Sequence, residues 1–190
     1  MENNVSGRVR KVAFSGLFSA LVFVVLYIGS LTTSEWTFIF AASFLLGLSV
    51  VLSGIRLGFL ITLVVNVLGY LLIFRTGYVF TFTFVSFYSP YRFIFDNKNQ
   101  LVKWFGKFSY FNSSLFAWIF LYKYFFGIDV FEVVFKIVKN VLRLNLSNFV
   151  VIGMIILSLE FFFVVYDYLL GRFISIGFRK IRNVIGYREG

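Results

Sequence analysis

The sequence predicts an all-α integral membrane protein, a bundle of about six transmembrane helices with an amphipathic segment between the fifth and the sixth. Three observations carry that reading. Hydrophobic residues make up 60% of the chain and charged residues only 14%, with a mean hydropathy of +0.91, which excludes an ordinary soluble fold. The apolar residues gather into runs of about 18 to 24, the length a helix needs to cross a hydrocarbon core of about 30 Å. Those runs lack the period-2 alternation of a transmembrane barrel.

The chain reads as a single membrane domain, 1–190, with spans expected at 12–31, 37–52, 57–74, 78–95, 108–126 and 148–171, an amphipathic stretch at 128–146 and a basic cytoplasmic tail at 172–190. Residues 1 to 11 are polar and basic and are expected in the cytoplasm. The first run resembles a signal peptide behind Arg8, Arg10 and Lys11, but it is too long and has no small-residue cleavage site, so it reads as a retained helix. Within it Ala13, Gly16 and Ala20, with Ser15 and Ser19, leave a flat surface on which another helix can sit closely, in this chain or in a partner.

A turn with Glu35 leads through Trp36, an interfacial anchor, into the second span. The connection SGIRLG, with Gly54, Arg56 and Gly58, is short enough to force an antiparallel pair. After the third span, Arg75 and Gly77 make an outer turn. In the fourth, Pro90 removes a backbone donor and disfavours helical geometry at Ser89, so a kink or helix end is expected there. The stretch DNKNQLVKWFGK at 96–107 reads as a polar linker on the inner side. Beyond the fifth span, Val130, Val133, Val134, Ile137, Val138 and Val141 recur at helical spacing beside Lys136, Lys139 and Arg143, the pattern of a helix lying at the outer surface or capping the bundle. With these sides assigned, thirteen Lys and Arg fall inside and five outside, so both termini are expected in the cytoplasm of a multi-pass cytoplasmic-membrane protein.

The formal charge of +10 is spread between the apolar runs rather than gathered into one patch, which points to membrane lipid and not to nucleic acid as the partner. The chain has no Cys and no His, which removes disulfides, thiol and imidazole catalysis and the usual zinc and haem ligands. No phosphate loop, nucleophile elbow or metal box occurs, so neither a cofactor nor a metal nor an enzymatic activity is expected.

Four polar residues at membrane depth need an explanation: Asn66, Arg92, Glu160 and Asp167. Glu160 and Asp167 are seven residues apart, on nearly the same face of one helix and about 10.5 Å apart along it, too wide for joint work on one bond. Their depths suggest structural pairs, Arg92 with Asp167 and Asn66 with Glu160; a proton or cation relay through Glu160 is the functional alternative. At the outer mouth the aromatic residues Trp36, Tyr78 and Tyr124 lie with Arg75 and Lys123, a set suited to stacking on and charge-pairing with a flat small molecule.

In organisation the chain resembles the S components, the substrate-binding membrane subunits of energy-coupling factor (ECF) transporters. The likeness rests on the basic N-terminus, Gly16 and Ala20 at four-residue spacing in the first helix, the Gly-x-x-x-Gly turn at Gly54 and Gly58, and the basic C-terminal end. It implies that the first helix docks, through Ala13, Gly16 and Ala20, on a transmembrane coupling subunit served by ATPase subunits. It also implies that a vitamin-like substrate binds near the outer side, in a bacterial or archaeal membrane. The riboflavin, thiamine and biotin signatures are absent, and without an N-terminal His the nickel and cobalt branch is not expected. The segments FYSPYRFIFDNKNQLVKW and FFFVVYDYLLGRF are also similar to those of uncharacterised small bacterial six-helix membrane proteins. A self-contained proton-coupled carrier and a non-transporting membrane scaffold remain as alternatives.

Overall fold

The computed structural model describes residues 2–141 and 147–185. Among the described residues there are eight helices and no strand: α1 (Glu2–Ser30), α2 (Glu35–Ser53), α3 (Ile55–Leu72), α4 (Thr76–Ser86), α5 (Tyr88–Phe95), α6 (Gln100–Phe126), α7 (Val130–Val141) and α8 (Asn148–Ile185). The all-α class is therefore as the sequence predicts. Four helical stretches, Lys11–Ser30, Glu35–Ser53, Ile55–Leu72 and Phe149–Lys180, are long and apolar enough to cross a membrane. The expected fourth span is broken in two, and α4 and α5, at 11 and 8 residues, are each too short to cross alone.

The chain divides into two compact units, Met1–Tyr110 with Leu170–Gly190, and Phe111–Leu169. In the first unit α1, α2 and α3 run antiparallel in succession, because the connections are residues 31–34 and then Gly54 alone. Gly54 has φ +95, a conformation that L side chains rarely adopt, which is how one residue can close the turn. The core of this unit is Val22, Leu26, Ile39, Ala42, Leu46, Ile61, Val65, Ile73, Tyr78, Val79 and Phe82. Its two ends are conveniently marked by Arg75, beside the α1–α2 and α3–α4 turns, and by Gly54, on the side where α5 gives way to α6.

Pro90 produces the break that its chemistry requires, but three residues earlier than the proline itself. It sits in the first turn of α5, where a missing N–H costs least, and the turn falls at Phe87. Two other boundaries differ from expectation. The helix α6 begins at Gln100, so the polar linker shrinks to residues 96–99 and Lys103 and Lys107 become helical. Both lysines return one turn apart to Asp96, which stabilises as helix what composition alone marks as loop.

The second difference is α8, a single helix of 38 residues rather than a span ending at 171 with a separate tail. Gly171 does not end it, because the glycine receives the Arg92 guanidinium against its bare backbone. Beyond it Phe173 lies on Phe44 at 5.8 Å between ring centres, and Gly177 takes Leu48, so α8 advances beside α2 toward the Gly54 end. Residues 186–190 of the expected tail lie outside the described residues.

The second unit holds the later part of α6, α7 and the first part of α8. Phe111 stacks on Phe163 at 4.4 Å. Asp129 caps α7 by accepting the N–H groups of Phe131 at 3.1 Å and Glu132 at 3.2 Å. Val130, Val134 and Val138 are half-buried along one stripe of α7, while Glu132 and Lys136, paired at 2.7 Å, are exposed on another, the amphipathic helix expected at 128–146. Residues 142–146 of that stretch lie outside the described residues.

Glycine packing in the first unit is directly testable. A Cβ on Gly29 would collide with the Tyr78 hydroxyl and with Phe38, whereas a Cβ on Gly16 would meet nothing within 4 Å. Gly29→Ala should therefore lower the thermal midpoint of the detergent-solubilised protein by several degrees, and Gly16→Ala should leave it unchanged or slightly higher.

Candidate functional site

Polar side chains in the first unit collect at three levels. At the Arg75 end, Arg75 forms an ion pair with Glu35 and donates to the carbonyls of Ser30 at 3.3 Å and Thr32 at 3.0 Å. One guanidinium thus ties the α1–α2 turn to the start of α4. Tyr78, one turn further on, is buried at 3% exposure, and its hydroxyl lies against Gly29 with no hydrogen-bond partner. Trp36 is 57% exposed and touches Phe40. Of the five residues predicted to bind substrate, Trp36, Arg75 and Tyr78 belong to this end of the first unit. Lys123 and Tyr124 belong to the second unit, where Lys123 pairs with Asp129 at 2.7 Å and Tyr124 is 76% exposed.

At mid-depth lies a network of neutral groups. Asn66 donates through Nδ2 to the Thr62 carbonyl at 2.8 Å and to Ser86 Oγ at 2.9 Å, and accepts from Thr83 Oγ1 at 2.7 Å. Its amide is satisfied within α3 and α4, so the role offered to it opposite Glu160 is already filled by hydroxyls. Ser43 and Ser89, both fully buried, join α2 to α5 at 2.9 Å. The spacing Thr62 to Asn66, one helical turn, is the sequence signal for the first half of this network; nothing in the local pattern signals Ser43 with Ser89.

At the Gly54 end, Asp96 gathers three cations. Arg92 Nε lies 3.3 Å from its Oδ2, and Lys103 and Lys107 Nζ lie 2.9 and 3.3 Å from its Oδ1. Lys107 has no exposed surface and its ammonium stands 5.8 Å from the Trp104 ring centre. A buried ammonium is tolerated only with a partner of this kind. Burial would raise the Asp96 carboxyl, but the hydrogen bond from Lys103 and the charges of Arg92, Lys107 and Lys103 outweigh it and hold the group below its ordinary 3.8. The sequence carries the signal for this cluster, basic residues four before and seven and eleven after one Asp, but it reads as a solvated linker until α6 is known to start at Gln100.

Within the second unit Glu160 is half-buried on α8 and accepts a long hydrogen bond, 3.4 Å, from Asn112 of α6. Asp167, also on α8, is buried at 5% exposure. The described residues contain no group of three acids able to hold a metal ion.

The three small residues of α1 lie together on an open face. Ala13, Gly16 and Ala20 are exposed, as are Leu17, Val24 and Leu31 on the same stripe, while Ser15, Phe18, Val22 and Leu26 opposite them are buried. A Cβ on Gly16 would meet nothing within 4 Å.

No protein-family model, no curated protein and no solved structure matches this chain.

Two predictions follow from the polar levels. Asn66→Leu and Ser86→Ala should each destabilise the protein, with a coupling in a double-mutant cycle of about 0.6 kcal/mol, typical for hydrogen bonds between membrane helices; additivity would show the contact contributes nothing. Asp96→Asn should cost about 3 kcal/mol at pH 7, because it removes the carboxylate that Arg92, Lys103 and the buried Lys107 share. Since the folded carboxyl titrates below 3.8, its contribution is fully present above that value and lost as pH falls through the lower folded value. Melting curves of wild type and Asp96→Asn should accordingly converge in acid.

Proposed function

We propose that this chain is the substrate-capture membrane subunit of an ECF-type uptake transporter for a vitamin-like small molecule, with six crossings and both termini cytoplasmic. In this reading α4 and α5 together make one crossing, and the protein sits in a bacterial or archaeal cytoplasmic membrane. What supports it is the open face of α1: Ala13, Gly16 and Ala20 are exposed, and a Cβ on Gly16 would meet nothing within 4 Å. In lipid there is no hydrophobic gain from burying a Leu rather than an Ala, so a small-residue face is useful mainly where another backbone approaches. A transmembrane coupling subunit, carrying ATPase subunits, is the partner assigned to that face.

Substrate capture falls, in the first unit, to Trp36, Arg75 and Tyr78. An anionic group on the substrate would compete with Glu35 for the Arg75 guanidinium and so loosen the tie between the α1–α2 turn and α4. No covalent chemistry is assigned to the chain, and no cofactor.

Gly16→Leu combined with Ala20→Leu tests the docking role. The isolated protein should keep its thermal midpoint, because both positions face open space, while co-purification with the coupling and ATPase subunits and substrate uptake should be lost. A variant that unfolds, or one that co-purifies as well as wild type, removes the basis of this reading. A proton-coupled carrier is favoured instead by one observation, that Glu160 carries no cation among the described residues and is met by the neutral Asn112. Under that reading Glu160→Gln abolishes the pH dependence of uptake in vesicles lacking any ATPase.

A further inference from the structure

The cations of this chain are paired at some places and left unpaired at others, in a regular way. Arg75 is paired with Glu35, Lys123 with Asp129 and Lys136 with Glu132. At the Gly54 end of the first unit Arg92, Lys103 and Lys107 share Asp96. Around them Lys11, Arg56, Lys98, Arg172, Arg179 and Lys180 are exposed and carry no ion pair among the described residues. The surplus positive charge of the first unit is therefore concentrated at one end.

The surroundings of these cations identify what they meet. Lys98 is followed by Leu101 at 85% and Phe105 at 78% exposure. Arg172 and Arg179 lie one above the other, about 10.5 Å apart along α8, and Phe173 and Ile176 between them are 54% and 41% exposed. An acidic soluble protein would leave or bury those apolar groups in an aqueous contact. A lipid boundary takes both kinds at once, acyl chains against Phe and Leu and phosphates against the cations. Arginine's planar fork also matches two phosphate oxygens in a way that a lysine does not.

We propose that the Gly54 end is a binding surface for anionic phospholipid headgroups, with Lys98, Arg172 and Arg179 as the principal phosphate ligands. It follows that this end faces the anionic leaflet, which fixes the orientation of α1, α2 and α3 independently of what the protein transports. The proposal does not rest on the ECF-type reading, since it uses neither the α1 face nor the Arg75 end.

The test is lipid retention in nanodiscs of phosphatidylcholine and phosphatidylglycerol, read by native mass spectrometry after detergent release. The wild-type protein should retain phosphatidylglycerol well above its share of the disc, and added salt should reduce the excess. The triple variant Lys98→Gln, Arg172→Gln, Arg179→Gln should lose that preference, by about fivefold for each cation removed. Lys136→Gln, in a pair elsewhere, should keep it. Retention matching the disc composition in the wild type overturns the proposal whether or not the variant folds. So does an unchanged preference in a folded variant. Competition by free inorganic phosphate at equal concentration would show an anion site that does not read lipid, and would overturn it too.

Discussion

An apolar surrounding offers a polar group nothing to bond with, and the arrangement of this chain follows from that one constraint. The backbone meets it with helices; the hydroxyls meet it by bonding their own helix. Ser15 donates to Lys11, Ser19 to Ser15, Thr62 to Gly58 and Thr81 to Gly77, each to a carbonyl four residues back. Groups that cannot be satisfied locally are what join one helix to another. The Asn66 amide needs three partners and finds two of them on α4; Asp96 needs cations and finds them on α5 and α6. Apolar packing then fills the space between these fixed points.

This division explains which parts of the fold could be read from the sequence. The helical class, the antiparallel start and the amphipathic α7 depend on composition, run length and periodicity, all of which are local properties. The early start of α6 and the unbroken course of α8 depend on contacts between residues far apart in sequence. Lys103 and Lys107 look like linker residues until Asp96 stands beside them, and Gly171 looks like a helix end until a guanidinium from α5 fills the space where its side chain would be. Pro90 was legible as a break because its effect is covalent.

The candidate residues divide in the same way. Spacing marks Ala13, Gly16 and Ala20 as a face, but only the fold establishes that the face is open. Charge and aromatic content mark Arg75 and Tyr78 as an outer cluster, but the structure adds that Arg75 is engaged with Glu35 and two carbonyls, and that the Tyr78 hydroxyl is enclosed without a partner. A buried unsatisfied hydroxyl beside a charged tie is a place where the resting arrangement is less than fully stable. Any molecule that engages Arg75 would act on that spot first.

The single-residue connection at Gly54 bears on how the protein is made. Two apolar helices of 19 and 18 residues joined by one glycine leave no loop long enough for α2 to settle in the bilayer while α3 is still outside it. A pair so joined can enter a bilayer only as a hairpin, with Gly54 and Arg56 at its tip. The close approach of Gly58 to Val50 belongs to that hairpin alone, whereas the partners of Asn66 come from α4, the next helix along the chain.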